Sequence, residues 1–333
     1  MLDERKAAIL RAVVEEYIET AQPVGSGHVA RAPQVQVSPA TVRNEMVALE
    51  QEGYLHQPHT SAGRVPTDKG YRFFVDSMGS VPGSLEPAQR QEVSRFFASA
   101  HGALESMLQD TSRLLSGLTD YAAVVVGPPH EVATIRSVQL VGLGGRTALL
   151  VVVLSNGVVD KATIELADDP AEEHLAAAST HLATALVGST LADPAPVPPT
   201  GDPTLDAACD VAVRALSAHG PDGDHVFVGG ASRMAAAFDA VETVRQVLTI
   251  LEQQFLVVGL VRDVIDRGLS VAIGAEHGFE PLAECSLVVA PYEVEGEVAG
   301  SIGVLGPTRM HYPQALAAVA IVSQRLGRRL SEG

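Results

Sequence analysis

The sequence predicts an α+β chain of several domains, and three observations support this fold class. The first 78 residues combine amphipathic helices with one short hairpin, and a Gly-, Pro- and Ser-rich stretch follows at residues 79–87. Strand patterns then flank a helical block. The length of 333 residues suits two or three domains of ordinary size.

Two helices are predicted near the N-terminus. Asp3 is a favourable N-cap for a first helix that runs to about Thr20, and Pro23 ends this helix. Ser26 is predicted to cap a short second helix that extends to about Ala32. This pair is typical of the supporting part of a helix-turn-helix.

A third helix is predicted to start at Ser38, because Ser is a favourable N-cap and Pro39 suits the first helical position. Gly53 is placed where a left-handed residue would end this helix. Apolar residues at helical spacing predict a buried stripe of Val42, Met46 and Leu49.

The other faces of the third helix carry residues that suit DNA. Arg43 and Asn44 are the residue types that form paired hydrogen bonds with guanine and adenine edges in a major groove. Ser38 and Thr41 lie in the same N-terminal turns. These four residues are the candidate DNA contacts of the helix.

A β-wing is predicted after the third helix. A short strand at residues 54–57 leads into the sequence PHTSAGRVP, whose Pro, Gly and small hydroxyl residues are typical of a hairpin tip. The candidate DNA contacts in this wing are His59, Thr60, Ser61 and Arg64. The order of elements favours a winged helix-turn-helix in residues 1–78, which ends with a helix capped by Thr67 or Asp68.

Each of these observations has a simpler interpretation. Capped amphipathic helices occur in many proteins, and Arg64 could be a solvated turn residue. His56 and His59 have a spacing that a metal ion could use, but no Cys or further His lies close in sequence. No metal site is therefore predicted.

The net charge of −17 is unusual for a DNA-binding protein, and most of it lies beyond residue 78. Residues 1–78 carry 8 Lys and Arg against 10 Asp and Glu, and the remaining residues carry 15 against 30. A nearly neutral domain predicts few phosphate contacts and a modest salt dependence for each protomer. Two copies are therefore expected to bind DNA together.

Residues 79–118 are predicted to form a linker and one long helix. Apolar residues from Val93 to Leu118 alternate spacings of three and four, which is the pattern of coiled-coil packing. The helix could instead pack on its own domain, since Gly102 and Thr111 weaken the apolar seam.

Strands and helices occur in blocks after residue 118. Strand patterns fill residues 121–165, with Asn156–Gly157 as a hairpin turn, and return near the C-terminus. Helical patterns and a Pro-rich loop lie between them. The sequence therefore predicts one sheet domain at residues 119–166 and 255–333, interrupted by an insertion at residues 167–254.

No enzyme and no cofactor are predicted, because the sequence lacks GxxxxGK[ST], GxSxG, HExxH and CxxC motifs. Gly142–Arg146 resembles a nucleotide loop but lies between two strands, so a hairpin turn is the better interpretation. Arg309 and Tyr312 are the most site-like residues of the C-terminal half, and a structural or interdomain role is expected for both.

The cytoplasm is the expected location. Cys209 and Cys285 are too few for a disulfide framework, and no signal peptide is recognised. Apolar runs such as Ala148 to Leu154 are far shorter than the roughly 18 residues that cross a bilayer. No membrane association is expected.

Three blocks resemble the HrcA family of bacterial heat-inducible transcription repressors: PVGSGHVA (23–30), the segment from Ser38 to Asp76, and GSIGVLGPTRMHY (300–312). The resemblance implies an N-terminal winged helix and a GAF-like domain with an inserted dimerisation domain. It also implies a homodimer that binds a double-stranded inverted-repeat (CIRCE-type) operator upstream of chaperone operons. The GroE chaperonin is implied as the partner that maintains the active form.

Two other function classes are compatible with a DNA-binding N-terminus. In one, a winged-helix regulator senses a small ligand through its GAF-like domain, and a metabolite rather than the chaperonin raises operator affinity. In the other, an enzyme carries an appended DNA- or protein-binding module. The absence of catalytic motifs disfavours the enzyme.

Overall fold

The chain folds into two compact units. In the computed structural model the described residues are 2–59, 62–79, 85–99, 104–128, 133–155, 158–168, 170–191, 193–218, 226–234, 238, 241–267, 270–294 and 296–332. The first unit contains residues 1–99, 109–125 and 227–333. The second unit contains residues 100–108 and 126–226.

Helices and a two-stranded hairpin form the N-terminal part of the first unit. They are α1 (Glu4–Thr20), α2 (Ser26–Val29), α3 (Pro39–Gln51), β1 (Leu55–His56), β2 (Val65–Pro66) and α4 (Asp68–Ser77). The side chains of Asp3, Ser38 and Thr67 cap α1, α3 and α4, which confirms these three predicted helix starts. The expected cap of α2 is wrong by one residue, because Gly25 is the N-cap and Ser26 is the first helical residue.

A buried core joins these N-terminal elements. α1 packs against α2, α3, α4 and β2 in this core, and four of its residues have no solvent exposure, namely Ile9, Leu10, Val13 and Val14. The predicted stripe of α3 is buried as expected, at Val42, Met46 and Leu49. Gly53 follows α3 with a φ of +79°, a left-handed conformation that glycine adopts without strain.

The remaining elements alternate between helices and strands. In chain order they are α5 (Pro87–Ser99), α6 (Leu104–Thr119), β3 (Ala122–Val126), β4 (Ile135–Gly144), β5 (Thr147–Leu154), β6 (Val159–Glu165), α7 (Glu172–Leu186), α8 (Pro203–Ala218), β7 (Val226–Gly229), α9 (Ala231–Met234), α10 (Val241–Glu252), α11 (Gln254–Asp266), β8 (Val271–Ile273), β9 (Cys285–Val294), β10 (Glu297–Pro307) and α12 (Tyr312–Ser331). Short 3-10 helices at Gly274–His277 and Glu280–Leu282 connect β8 to β9. None of the helices in the described residues is both long and apolar enough to cross a membrane.

The long helix predicted near residues 88–118 corresponds to α5 and α6, and the residues between them lie outside those described. α5 contacts α12, which belongs to the same unit. Val93 and Phe97 of α5 are buried. This packing favours the second sequence interpretation, in which the segment packs on its own domain.

A five-stranded sheet forms the centre of the first unit, with strand order β7-β3-β10-β9-β8. β9 and β10 pair antiparallel over most of their length, with Leu287 opposite Leu305. All five residues of β3 are buried. α12 packs along β9 and β10, and buries Ala318 and Val322 there.

The second unit has its own antiparallel sheet, β4-β5-β6. Every second residue of β5 is buried, from Ala148 to Leu154. α7 packs on β4, and α8 packs on α7 and β6. Large apolar side chains on the strands of this unit are nevertheless exposed, namely Val141, Leu143 and Val159.

The predicted single sheet with an insertion at residues 167–254 is wrong in its strand pairing. β4, β5 and β6 lie within residues 119–166 but pair with one another, whereas β3 joins the five-stranded sheet. β4, β5 and β6 follow one another closely and pair with their neighbours in sequence, whereas β3 pairs with strands far along the chain, at β7 and β10. Gly144 and Gly145 adopt φ of +101° and +58°, which closes β4 directly onto β5.

Candidate nucleic-acid interface

The N-terminus of α3 is capped by two of the predicted site residues. Ser38 Oγ accepts a hydrogen bond of 3.2 Å from the amide of Thr41, and the two hydroxyl oxygens lie 3.0 Å apart. Ser38 is exposed and Thr41 is half-buried. Both residues therefore determine where α3 begins, and Ser38 remains accessible to a ligand.

Arg43 and Asn44 lie on the solvent-exposed side of α3, away from the buried Val42 and Met46. Neither side chain has a hydrogen-bonding or ionic partner among the residues that the structure describes. Arg43 offers a planar fork of N–H donors, and Asn44 offers a donor and an acceptor. Both side chains are free to make the paired hydrogen bonds that base edges accept.

The hairpin of β1 and β2 is attached to the loop that precedes α2. Arg64 and Val24 exchange two backbone hydrogen bonds of 2.9 Å. Gly63 approaches the same loop so closely that a Cβ would lie 2.3 Å from the carbonyl oxygen of Val24. Glycine is therefore required at this position, and the returning strand is held at its base.

The tip of the hairpin carries the other predicted wing residues. His59 is exposed, and Thr60 and Ser61 lie outside the described residues. Gln57 Nε2 donates a hydrogen bond of 3.0 Å to the carbonyl of Ala62, across the hairpin. Within the described part of the chain, no group of three His, Cys, Asp or Glu is arranged to hold a metal ion.

Arg64 has a different environment from the one that its wing position suggested. Its Nε donates a hydrogen bond of 2.9 Å to Glu50 Oε2, and a terminal nitrogen lies 2.9 Å from the same oxygen. The Arg64 side chain is 16% exposed. The sequence did not predict a role for Glu50, because a carboxylate on a solvated helix face gives no signal of its partner.

A groove runs between α3 and the hairpin, with a volume of about 530 Å³. It is lined by residues that include Arg43, Val47, Gln57, Gly63 and Arg64. Val47 lies one helical turn after Arg43 and is 37% exposed. The groove joins the exposed face of α3 to the hairpin, so one ligand can contact both.

α4 connects this region to the five-stranded sheet of the same unit. Arg72 donates hydrogen bonds to the carboxylate of Glu276 and to the carbonyl of Val271. The hydrogen bond to Glu276 raises the pKa of the Arg72 guanidinium. Burial raises the pKa of the Tyr71 hydroxyl, whose ring centroid lies 6.0 Å from that of Tyr312. The Tyr71 and Arg72 side chains of α4 therefore pack within the unit and do not contribute to the exposed surface at α3.

Tyr312, one of the two site-like residues of the C-terminal half, has the structural environment that was expected of it. Tyr312 is fully buried, and its hydroxyl donates a hydrogen bond of 2.6 Å to the carbonyl of Thr308. The same oxygen lies 2.8 Å from Ser286 Oγ. Arg309 is half-buried beside it. Tyr312 thus fixes the turn between β10 and α12.

The family model described as "HrcA protein C terminal domain" matches residues 105–316. The chain is 39% identical to the "Heat-inducible transcription repressor HrcA" of Nocardioides sp. (strain ATCC BAA-499 / JS614), with all of both proteins covered. It is also 39% identical to the protein of the same name from Acidothermus cellulolyticus, again over the full length of both. The protein of that name from Thermobifida fusca is 38% identical over 99% of this chain and 98% of the relative.

A solved structure described as that of a hypothetical protein superposes with a TM-score of 0.67 at 21% identity, over 100% of this chain and 99% of that one. At this identity the similarity concerns the fold alone. The full-length relatives define the class of protein, which is a transcription repressor and not an enzyme. The chain belongs to the HrcA family of heat-inducible transcription repressors.

Proposed function

We propose that this protein represses chaperone operons by binding, as a homodimer in the cytoplasm, a CIRCE-type inverted-repeat operator in double-stranded DNA. The observation that carries the proposal is the exposed face of α3, where Arg43 and Asn44 have no partner among the described residues. These side chains match the donor and acceptor pattern of purine edges. The repressor family to which the chain belongs supports the same conclusion.

Residues 1–78 act as a winged helix-turn-helix in this proposal. α3 enters the major groove with its N-terminal turns first, which brings Ser38, Thr41, Arg43 and Asn44 to the DNA. The hairpin is the wing, and His59, Thr60 and Ser61 contact the adjacent backbone. Support comes from the position of the hairpin, which borders the same groove of the protein as Arg43.

The second compact unit is the inserted dimerisation domain in this proposal, and the five-stranded sheet is the GAF-like domain. α7 covers one face of the β4-β5-β6 sheet, while Val141 and Val159 are 45% and 41% exposed. Val141 lies opposite Leu149, and Val159 lies opposite Val153, so these four apolar side chains share the face of the sheet that α7 leaves open. A second copy of the chain that binds there removes this surface from water.

The dimer also follows from the charge of the N-terminal residues. With 8 basic and 10 acidic residues in positions 1–78, one protomer has a weak electrostatic attraction to phosphate. Two protomers on two half-sites combine their contacts, and a two-fold symmetric protein matches an inverted repeat. Specific repressors typically need affinities of about 10⁻⁸ M or better.

The GroE chaperonin maintains the active form in this proposal by assisting folding. β3 and β10 are neighbours in the five-stranded sheet although the second unit lies between them in sequence. Such long-range pairing is slow and leaves apolar strands such as AAVVV exposed in the meantime. Heat shock occupies the chaperonin with other clients, and repression is then lost.

The test is a binding titration of the full chain with three duplexes: an intact inverted repeat, a single half-site and a scrambled sequence of equal length. The intact repeat should bind tightest. A second experiment refolds denatured protein with and without chaperonin and ATP, and the fraction of protein that binds the repeat should be larger with them. Equal affinity for the three duplexes contradicts the proposal. Affinity that rises only with a small metabolite favours the ligand-sensing alternative.

A further inference from the structure

The side chain of Arg64 is bound to α3 and not directed to solvent. Two of its nitrogens lie 2.9 Å from Glu50 Oε2, and the side chains of Arg64 and Glu50 are 16% and 32% exposed. Glu50 lies in the last turn of α3, and Arg64 immediately precedes β2. The ion pair therefore joins the hairpin to α3 by a direct side-chain contact.

The backbone of Arg64 makes a second attachment, to the loop before α2. Its amide and carbonyl both pair with Val24, so the residue is held from the loop before α2 and from α3 at once. The planar guanidinium of Arg keeps its donors in a fixed geometry, and little entropy is lost for each hydrogen bond that it forms. Arg64 is thus placed where it can set the orientation of the hairpin.

We propose that Arg64 and Glu50 are positioning residues for operator binding, and that Arg64 acts through Glu50 instead of contacting a phosphate. The pair fixes the angle between the hairpin and α3, so that His59 and Arg43 meet the duplex together. A hairpin that is already oriented loses less freedom on binding. This inference rests on the proposed function.

The decisive variant is Glu50→Gln in the full chain, measured by operator binding. It keeps the size of the side chain, removes one negative charge from the DNA-facing domain and weakens the hold on the Arg64 guanidinium. A positioning role predicts that affinity falls by about 3- to 10-fold, because the ion pair is replaced by a weaker hydrogen bond to an amide oxygen. If Arg64 were a phosphate ligand, the same variant would bind equally well or more tightly, and that outcome overturns the proposal.

The matched control is Glu45→Gln, which makes the same chemical change on the same helix. Glu45 pairs at 3.4 Å with Arg5 of α1, and the side chains of Glu45 and Arg5 are 19% and 58% exposed. A single ion pair with one exposed partner contributes little. Operator affinity should therefore be retained or slightly increased, and an equal loss in Glu45→Gln and Glu50→Gln overturns the specific role of Glu50.

Two further variants separate positioning from phosphate contact. Arg64→Lys keeps the positive charge for a phosphate but loses the planar fork, so a positioning role predicts a loss similar to that of Glu50→Gln. Exchanging the two residues, Glu50→Arg with Arg64→Glu, should recover part of the affinity. Wild-type affinity in Arg64→Lys and no recovery in the exchanged protein contradict the proposal.

Hydrogen exchange of the free protein tests the same pair without DNA. The amides of Val24 and Arg64 should exchange several-fold faster in Glu50→Gln than in Glu45→Gln, because the hairpin opens more often. If the wild-type protein binds no inverted repeat, the proposed function fails while this readout still tests the coupling. Unchanged exchange in Glu50→Gln overturns the coupling itself.

Discussion

Arg72 binds Glu276, a residue 204 positions later in the chain, through two nitrogens of its guanidinium. Arg72 also donates a hydrogen bond of 2.8 Å to the carbonyl of Val271, and Glu276 accepts one of 2.9 Å from the amide of Ile273. Asp68 of α4 accepts a further hydrogen bond from the amide of Ala275. These contacts fix α4 to the edge of the five-stranded sheet.

Glu276→Gln should lower the free energy of unfolding by about 1 to 3 kcal/mol at neutral pH, since it replaces the ion pair with Arg72 by weaker hydrogen bonds to an amide. Burial disfavours the ionised form of Glu276, yet hydrogen bonds from Arg72 and Ile273 lower its pKa below the ordinary value of 4.5. The stabilisation is therefore present above pH 4.5 and is lost as the pH falls through the lowered pKa.

Urea unfolding of wild type and Glu276→Gln, at neutral pH and in acid, measures this effect. The difference between the two proteins should be largest at neutral pH and should shrink as the pH falls below 4.5. A difference that is constant with pH contradicts the assignment to the ionised carboxylate.

Arg43→Ala should weaken operator binding by about 1 to 3 kcal/mol, as expected for the loss of a paired contact to a base. Asn44→Ala should behave similarly. Binding to random DNA should change much less, because base contacts contribute little there. The matched control is Arg113→Ala, which removes an exposed cation from α6 and should leave both affinities unchanged. Identical operator binding by wild type and Arg43→Ala would show that α3 is not the recognition helix.

Val141→Asp should convert the proposed dimer to a monomer, because it places a charge in the apolar surface of the β4-β5-β6 sheet. Light scattering at fixed protein concentration measures the change. Val298→Asp is the control, since Val298 is 64% exposed on β10 in the other unit and should leave the dimer intact. A dimer that persists in Val141→Asp places the interface elsewhere.

Gly63→Ala should destabilise the hairpin, because its Cβ would lie 2.3 Å from the carbonyl oxygen of Val24. Forced overpacking of this kind typically costs about 1 to 3 kcal/mol. Gly27→Ala has no atom within 4 Å of the new Cβ and serves as the control. Limited proteolysis of the hairpin should be faster in Gly63→Ala than in wild type and unchanged in Gly27→Ala. Equal rates in the two variants would contradict the close approach of Gly63 to Val24.

Cys209 and Cys285 should resist alkylation by iodoacetamide at neutral pH in the native protein. Burial raises the pKa of the Cys285 thiol to about 12 and also raises that of Cys209. Since the thiolate is the reactive form, both side chains should react only after unfolding in urea. Rapid labelling of the native protein would show that one of these sites is open to solvent.

The helix starts could be predicted from sequence because their determinants are local. Ser38 lies three residues before the amide that it caps, and Thr67 has the same relation to Gly70. The exposed face of α3 follows from the helical spacing of its buried residues. The local sequence is therefore enough to predict both where the helix begins and that Arg43 is accessible to solvent.

The division of strands between two sheets required information that is distant in sequence. Strand patterns occur in both β3 and β5, but β3 is buried at every position whereas β5 alternates. A fully buried strand belongs in the middle of a sheet that is covered on both faces. The partner of Arg64 could not be predicted from the sequence either, because the Glu50 carboxylate lies 14 residues away on a separate element.

The distance in sequence between Arg72 and Glu276 also sets the order in which the protein can be completed on the ribosome. Translation at about 5 to 20 residues per second separates the synthesis of these two residues by roughly 10 to 40 s. For most of that interval α4 is present but Val271, Glu276 and Tyr312 do not yet exist. The segment that we propose to bind the operator is therefore made first, and α4 can bind the sheet only when synthesis is almost finished.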